Sequence, residues 1–353
     1  MKVREGRAPV VRVQAKAPPI NALEPYERLV RAFATCALEG NQIVSTCPAV
    51  HAFEAEMQGV SPEIAAKVGQ QMIGHTSPAV RVQAASMMRV RGQLAPASLH
   101  AIARVAQTER DPRVLEAFLR IAGKHGAQHP SAASMLLAAA SHPDTGVRLD
   151  AVEAIAAVEN RGMPGGAEAL VALAEGDADP RVRRAACEQA GRLGTDAVLP
   201  LYERTTARAT DPELYAACME GLAAMFHNHP SFDTASEAAY RLFLRRLEET
   251  PRSEHVPPWP VMSTFCYFTH EADLDKLAAW KQRATWFDAA EVRRVLSDVI
   301  ADRAASMPAR SAAIESLVGL GATPAELAIL RKHLTAASDK PLVDKLAAIF
   351  ESR

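Results

Sequence analysis

Asp177-Ala178-Asp179-Pro180-Arg181-Val182-Arg183-Arg184-Ala185-Ala186-Cys187-Glu188-Gln189-Ala190-Gly191-Arg192-Leu193-Gly194 is the stretch whose reading decides the fold. Asp179 is a helix N-cap, and Pro180 sits at the first turn, where a missing N–H costs nothing. Val182, Ala186 and Leu193 share one helical face. Gly194 supplies the left-handed residue that ends a helix.

With Val182 as the anchor, equivalents stand at Val50, Val80, Val114, Val147 and Leu214, in steps of 30, 34, 33, 35 and 32 residues. Ala309 and Val343 continue the frame 34 residues apart. A fixed period of this length is the mark of a repeat array. A second signal keeps phase: glycine stands twelve residues after the anchor at Gly92, Gly126, Gly194 and Gly321. A third is a small residue four positions after it, at Ala84, Ala151, Ala186, Cys218, Ala313 and Ala347, with Phe118 the exception. After each glycine comes a second apolar-periodic run, entered through Thr195 or through Thr323-Pro324. Each unit therefore reads as helix, short turn, helix. Such a unit buries its faces only by stacking on its neighbours.

Asp-Pro-Arg-Val-Arg-Arg-Ala-Ala followed by Gly-Arg-Leu-Gly resembles the HEAT repeat, in the bacterial variety of the phycobilisome-lyase-like proteins. The resemblance covers about residues 46–226 and 307–353. It implies an all-α superhelix of stacked antiparallel helical hairpins, an α-solenoid of about eight or nine repeats. It also implies that the anchor Asp and the arginines after the anchor, Arg81, Arg148, Arg183 and Arg310, are structural, capping helices and bridging adjacent repeats. Leu115, Tyr215 and Asp344 interrupt that arginine series.

The domain reading follows from the period. Residues 1–20 form an extended basic, proline-containing arm, with Lys2, Arg4, Arg7, Arg12 and Lys16 against Glu5. Residues 21–353 form one solenoid: capping hairpins over 21–75, regular repeats over 76–249, irregular aromatic-rich repeats over 250–306 and C-terminal repeats over 307–353. Within it, helical runs are expected from Pro25 to about Leu38, Pro48 to Met57, Pro62 to Ile73 and Thr234 to Glu249. With β-branched runs scarce, no sheet is expected.

Forty basic against 41 acidic residues give a formal charge of −1, which argues against nucleic acid as a partner. No apolar run is long enough for a transmembrane segment. Residues 1–20 hold no apolar leader, so the expectation is a cytoplasmic protein; a trimmed signal would make it periplasmic or envelope-anchored. Cys36 and Cys47 flank the turn Glu39-Gly40-Asn41 and could face each other across a helical hairpin, so a disulfide is possible between them. Cys187 and Cys218 read as small buried thiols on the first helices of adjacent repeats.

No motif for catalysis emerges. Gly-rich phosphate loops and Gly-x-Ser-x-Gly are absent. HEAT-like deoxyhypusine hydroxylases use several His-Glu pairs to hold two irons, and this chain has one, His270-Glu271. No cofactor is expected. The reading is a non-catalytic scaffold, monomeric, presenting a curved surface of second-helix residues to a protein or peptide. Its candidate contacts are His100, Arg104, Glu203, Arg204, Arg241 and Arg245, with Trp259 from a segment that also holds Trp280 and Trp286. The alternatives are a metal-dependent or lyase-type HEAT enzyme using His227, His229 and His270, and a HEAT-like DNA-binding protein.

Overall fold

A computed structural model describes residues 26–90, 93–207, 211–226, 236–249 and 282–351. The chain divides into two compact units, Met1–Glu39 with Ile43–Gln93 and Gly40–Gln42 with Leu94–Arg353. The basic arm, Gly92, Trp259, Trp280, Cys266, His227, His229 and His270 lie outside the described residues.

The first unit contains α1 (Glu27–Phe33), α2 (Pro48–Met57), α3 (Pro62–Met72) and α4 (Pro78–Met87). α1 packs on α2 through Phe33 and Phe53, whose rings meet edge to face at 5.5 Å. α3 packs on α4 around Val68, Met72 and Val80. α1 stops well short of Leu38, because the chain turns there into a two-residue ladder, β1 (Leu38–Glu39) against β2 (Gln42–Ile43). Gly40, at φ 55°, makes that reversal in the left-handed region. A second ladder pairs β3 (Arg89–Val90) with β4 (Gln93–Leu94). Sheet is thus present where none was expected, as two short ladders without β-branched runs.

The second unit carries the repeat. Its helices are α5 (Pro96–Ala106), α6 (Pro112–Ala122), α7 (Pro130–Ala140), α8 (Thr145–Ile155), α9 (Gly166–Gly176), α10 (Pro180–Ala190), α11 (Leu199–Thr206), α12 (Pro212–Ala224), α13 (Glu237–Glu249), α14 (Ala289–Ala301), α15 (Met307–Gly319), α16 (Pro324–His333) and α17 (Lys340–Glu351). From α5 to α12 they alternate between two rows, as in an α-solenoid. α6, α8, α10 and α12 pack in series and carry the anchors, while α5, α7, α9 and α11 form the other row. α13 packs on α11 and α12, and α14 on α13 and α15.

Local chemistry starts each anchor helix. Asp111, Asp144, Asp179 and Asp211 accept N–H groups of their first turns, and Ser306 does the same for α15. Such a cap contributes about 1 kcal/mol. Thr323 and Glu326 form a reciprocal capping box on α16. Val80, Val114, Val147 and Val182 are fully buried. Leu214 and Val343, by contrast, are half-buried, and Tyr215 and Leu342 take the core positions one residue away. The frame slips there because a bulky neighbour outcompetes the nominal anchor for the core.

Glycine at twelve residues past the anchor has two different causes. Gly194 and Gly321 sit at φ 64° and 76° and end their turns in the left-handed region. Gly126 is right-handed, and its requirement is space, since a Cβ there would overlap the Met163 sulfur.

The anchor row is tight because its side chains are small. Ala151, Ala186 and Cys218 are fully buried on it, as Ala84 is on α4 of the first unit. At the end of α10 a Cβ on Gly191 would overlap the Gly221 carbonyl of α12, so the two backbones touch. Next to that contact, Cys187 and Cys218, read above as thiols, are joined in a disulfide with Cα atoms 4.9 Å apart. Cys36 and Cys47 are also joined, at a Cα separation of 5.7 Å, closing a β-hairpin rather than a helical one.

Backbone contact at Gly191 leads to a sharp expectation. Gly191→Ala should destabilise the second unit by about 2–4 kcal/mol in urea titration, because backbone cannot yield as a side-chain tip does. The same substitution at Gly176, which faces open space, should change stability by less than about 1 kcal/mol.

Candidate functional site

The turn that enters each anchor helix is held by a repeated set of polar contacts. The residue five before the anchor accepts the N–H two positions on: His75 Nδ1 from Ser77 at 3.0 Å, Glu109 from Asp111 at 3.0 Å, His142 Nδ1 from Asp144 at 3.1 Å and Asp177 from Asp179 at 2.8 Å. The arginine after the anchor closes the same turn from the other side. Arg81 donates to the carbonyls of His75 and Thr76, Arg148 to those of His142 and Pro143, and Arg183 to those of Asp177 and Ala178. These carbonyls belong to the turn between the preceding helix and the anchor helix.

Arg148 also reaches the next repeat. Its Nε and Nη2 donate to the two carboxylate oxygens of Asp177 at 2.7 and 2.9 Å. Side-chain exposure of the pair is 12% and 5%, so the two-pronged contact is shielded from water. Burial raises the Asp177 pKa, and the Arg148 and Asp179 hydrogen bonds outweigh it, leaving the carboxyl below its ordinary value. Arg310 and Asp339 form a second arginine–carboxylate pair, through Nη2 and Oδ1 at 2.8 Å and almost wholly buried, with Arg310 Nε donating to the Ile300 carbonyl. Arginine and acid are separated by 29 residues in both pairs. The structural role that the HEAT resemblance implies for these arginines is therefore visible in the contacts. Arg161-Gly162-Met163, in an expanded turn, follows Asn160, which sequence reasoning missed. Asn160 is fully buried, donates to the carbonyls of Gly123 and Ala154, and accepts the Ala127 N–H. A single asparagine without periodic partners leaves no signal in the sequence.

The two rows differ in how their surface charges are matched. On the row that holds α9, α11, α13, α14 and α16, charges pair between neighbouring helices. Arg204 meets Glu175 at 2.6 Å, Arg241 meets Glu291 at 3.2 Å, Arg294 meets Glu248 at 2.5 Å and Arg293 meets Glu326 at 3.3 Å. The candidate contacts from the sequence lie on this row. His100 and Arg104 are exposed on α5, Glu203 and Arg204 on α11, and Arg241 and Arg245 on α13. The structure brings α11 and α13 together but leaves α5 against α6 and α7. Arg204 and Arg241 thus already hold carboxylates. Trp286, described at the edge of the aromatic segment, packs half-buried against Tyr240 with ring centroids 5.1 Å apart.

The anchor row is different. Glu116 of α6, Asp150 and Glu153 of α8, Glu188 of α10 and Glu220 of α12 are half-buried or exposed on it. Asp150 is pushed up to about 6, by burial first and then by the charges of Glu116 and Glu153, which Arg120 only partly offsets. Burial also raises Glu116, with Asp144 and Asp111 adding to it. Glu220 is raised by burial and by Glu188. A cleft of about 240 Å³ opens between α6 and α8, lined by Leu119, Arg120, Asp150, Glu153 and Ala154 among others. Arg184 of α10 pairs with Glu213 of α12, so the negative excess is not uniform along the row. Among the described residues no group of three His, Cys, Asp or Glu side chains is placed to hold a metal, and no helix is long and apolar enough to cross a membrane.

The raised Asp150 pKa fixes the sign of a pH effect. Folded Asp150 binds its proton more tightly than the unfolded chain, so its contribution to stability is full below about pH 4 and is lost as pH rises through about 6. Asp150→Asn removes this dependence. It should raise stability at pH 7.5 by about 1–2 kcal/mol, after allowance for solvent screening, and leave it unchanged at pH 4. Urea titrations at the two pH values check this; an equal change at both would show that Asp150 has an ordinary pKa.

No curated protein matches the chain. Residues 133–223, which run from within α7 to within α12, match the family model described as HEAT repeats. Those residues contain the Arg148–Asp177 bridge, the tight α8–α10–α12 packing and the alternation of two rows, and this part of the chain is similar to HEAT repeats.

Proposed function

We propose that the chain is a non-catalytic interaction scaffold that docks a basic segment of a protein partner along the face of α6, α8, α10 and α12. HEAT repeats are commonly interaction scaffolds, and that much rests on the match over residues 133–223. The observation that carries the choice of face is electrostatic. Burial and the charges of Glu116 and Glu153 raise the proton affinity of Asp150 beside the α6–α8 cleft, and burial and Glu188 raise that of Glu220 two helices further on. Carboxylates held together against their own repulsion are neutralised either by protons or by a cationic partner. A lysine- or arginine-rich strand or helix meets that requirement and gains desolvated, charge-assisted hydrogen bonds in the cleft. The same excess repels a phosphate backbone, which weighs against the DNA-binding reading. The paired row offers no comparable net field.

The two disulfides bear on the compartment. Bridges persist where glutathione and thioredoxin systems do not hold thiols reduced, so Cys36–Cys47 and Cys187–Cys218 favour an extracytoplasmic site over a cytoplasmic one.

The test is binding of a ten-residue lysine- and arginine-rich peptide by fluorescence anisotropy at low salt. Binding should weaken at least about tenfold with Glu116→Gln, Asp150→Asn and Glu153→Gln combined, a loss of about 1.4 kcal/mol or more. Glu175→Gln on the other row should leave it unchanged. Affinity should fall as pH drops from 7 to 5, as Asp150 takes up its proton. Equal sensitivity of the two rows would remove the basis for choosing this face.

A further inference from the structure

The two disulfides stand in opposite surroundings. Cys187 and Cys218 are both fully buried between α10 and α12, beside the Gly191–Gly221 backbone contact. Tyr202, itself fully buried, donates to the Cys187 carbonyl at 2.9 Å and seals that side. No reductant reaches either sulfur without separation of the two helices. Cys36 and Cys47 lie at the other extreme. Cys36 is 8% exposed. Cys47 is half-buried, immediately before α2, in a run where Ser45, Thr46 and Pro48 are exposed. This second bridge ties the segment leaving α1 to the N-terminus of α2, the same two helices that Phe33 and Phe53 hold together.

We propose that Cys36–Cys47 is a reducible clasp on the α1–α2 pair, whereas Cys187–Cys218 is a permanent staple between two repeats. This goes beyond the docking reading and does not depend on it. The opening step is thiol–disulfide exchange with a dithiol. A thiolate of the dithiol attacks the Cys47 sulfur, the Cys36–Cys47 bond breaks, and Cys36 leaves as a thiolate that takes up a proton. The second thiol of the reductant then attacks the mixed disulfide and releases Cys47. Two electrons and two protons pass to the protein, and the dithiol becomes a disulfide. Access decides the order, because attack needs a line of approach to a sulfur, which Cys47 offers and the Cys187–Cys218 bridge does not. Once open, the segment 36–47 is released from its closed loop, and α1 keeps its packing on α2 and α4.

The experiment treats the intact native protein with dithiothreitol, quenches by alkylation at intervals, and maps each cysteine by mass spectrometry, with a parallel sample in urea. Cys36 and Cys47 should become alkylated in the native protein at least about tenfold faster than Cys187 and Cys218. In urea the two rates should converge. Hydrogen exchange on the reduced native sample should speed up in α1 and the β1–β2 hairpin and stay unchanged in α10 and α12. Cys36→Ser/Cys47→Ser, which lacks the clasp, should reproduce that exchange pattern without reductant. The proposal is overturned if the two bridges open at equal rates in the native protein. It is equally overturned if Cys187–Cys218 opens first, if neither opens before global unfolding, or if α1 exchange is indifferent to the bridge.

Discussion

The structure depends on one guanidinium contact repeated from turn to turn. At three anchors the arginine just after the anchor, Arg81, Arg148 or Arg183, reaches back to carbonyls of the turn that enters its helix. Without it, these part-buried turn carbonyls would lose a charge-assisted hydrogen bond. At Arg148 and Arg310 the same side chain also grips a carboxylate of the following repeat. One residue type therefore closes a turn and sets the spacing between repeats. Arginine suits the task because its planar fork donates in several directions at once and stays charged when buried. A shielded pair of this kind adds little net stability over an apolar pair of equal volume, but removing one partner strands a buried charge. The contact thus fixes geometry more than it adds energy, and the apolar anchors and small helix faces carry the burial.

That geometry sets what each row can display. Where α10 and α12 touch through backbone at Gly191 and Gly221, their outer side chains are forced close together. On the other row, long oppositely charged side chains such as Arg204 and Glu175 meet between neighbouring helices. The anchor row instead sets Glu116 and Glu153 close enough to Asp150 to raise its pKa, beside the α6–α8 cleft. A surface that costs stability to maintain is a reasonable place to look for a ligand of opposite charge.

Much of this was legible in the residues. Pro180 and Asp179 mark a helix start, Gly194 marks an end, and the structure places each as local rules require. The helix bounds Pro48–Met57 and the start of α3 at Pro62 follow the same signals. What was illegible depends on neighbours in space. Cys187 and Cys218 lie 31 residues apart, and only the register of α10 on α12 turns two buried thiols into a bridge. Leu214 looked like an anchor until Tyr215 competed with it for the core. The α1 run ended early because Gly40 formed a tight strand reversal that no helical periodicity announces. Charge matching along one row was equally hidden: Arg204 and Arg241 read as contacts for a partner, and the carboxylates they hold are 29 and 50 residues away.

The central claim is that the arginine after the anchor couples adjacent repeats, and a double-mutant cycle on Arg148 and Asp177 tests it most directly. Arg148→Ala, Asp177→Asn and the double variant would be compared with the parent by urea unfolding at neutral pH. The account predicts a coupling energy of about 1–3 kcal/mol, as for buried partners in contact. Additivity of the two substitutions to within about 0.5 kcal/mol would contradict it.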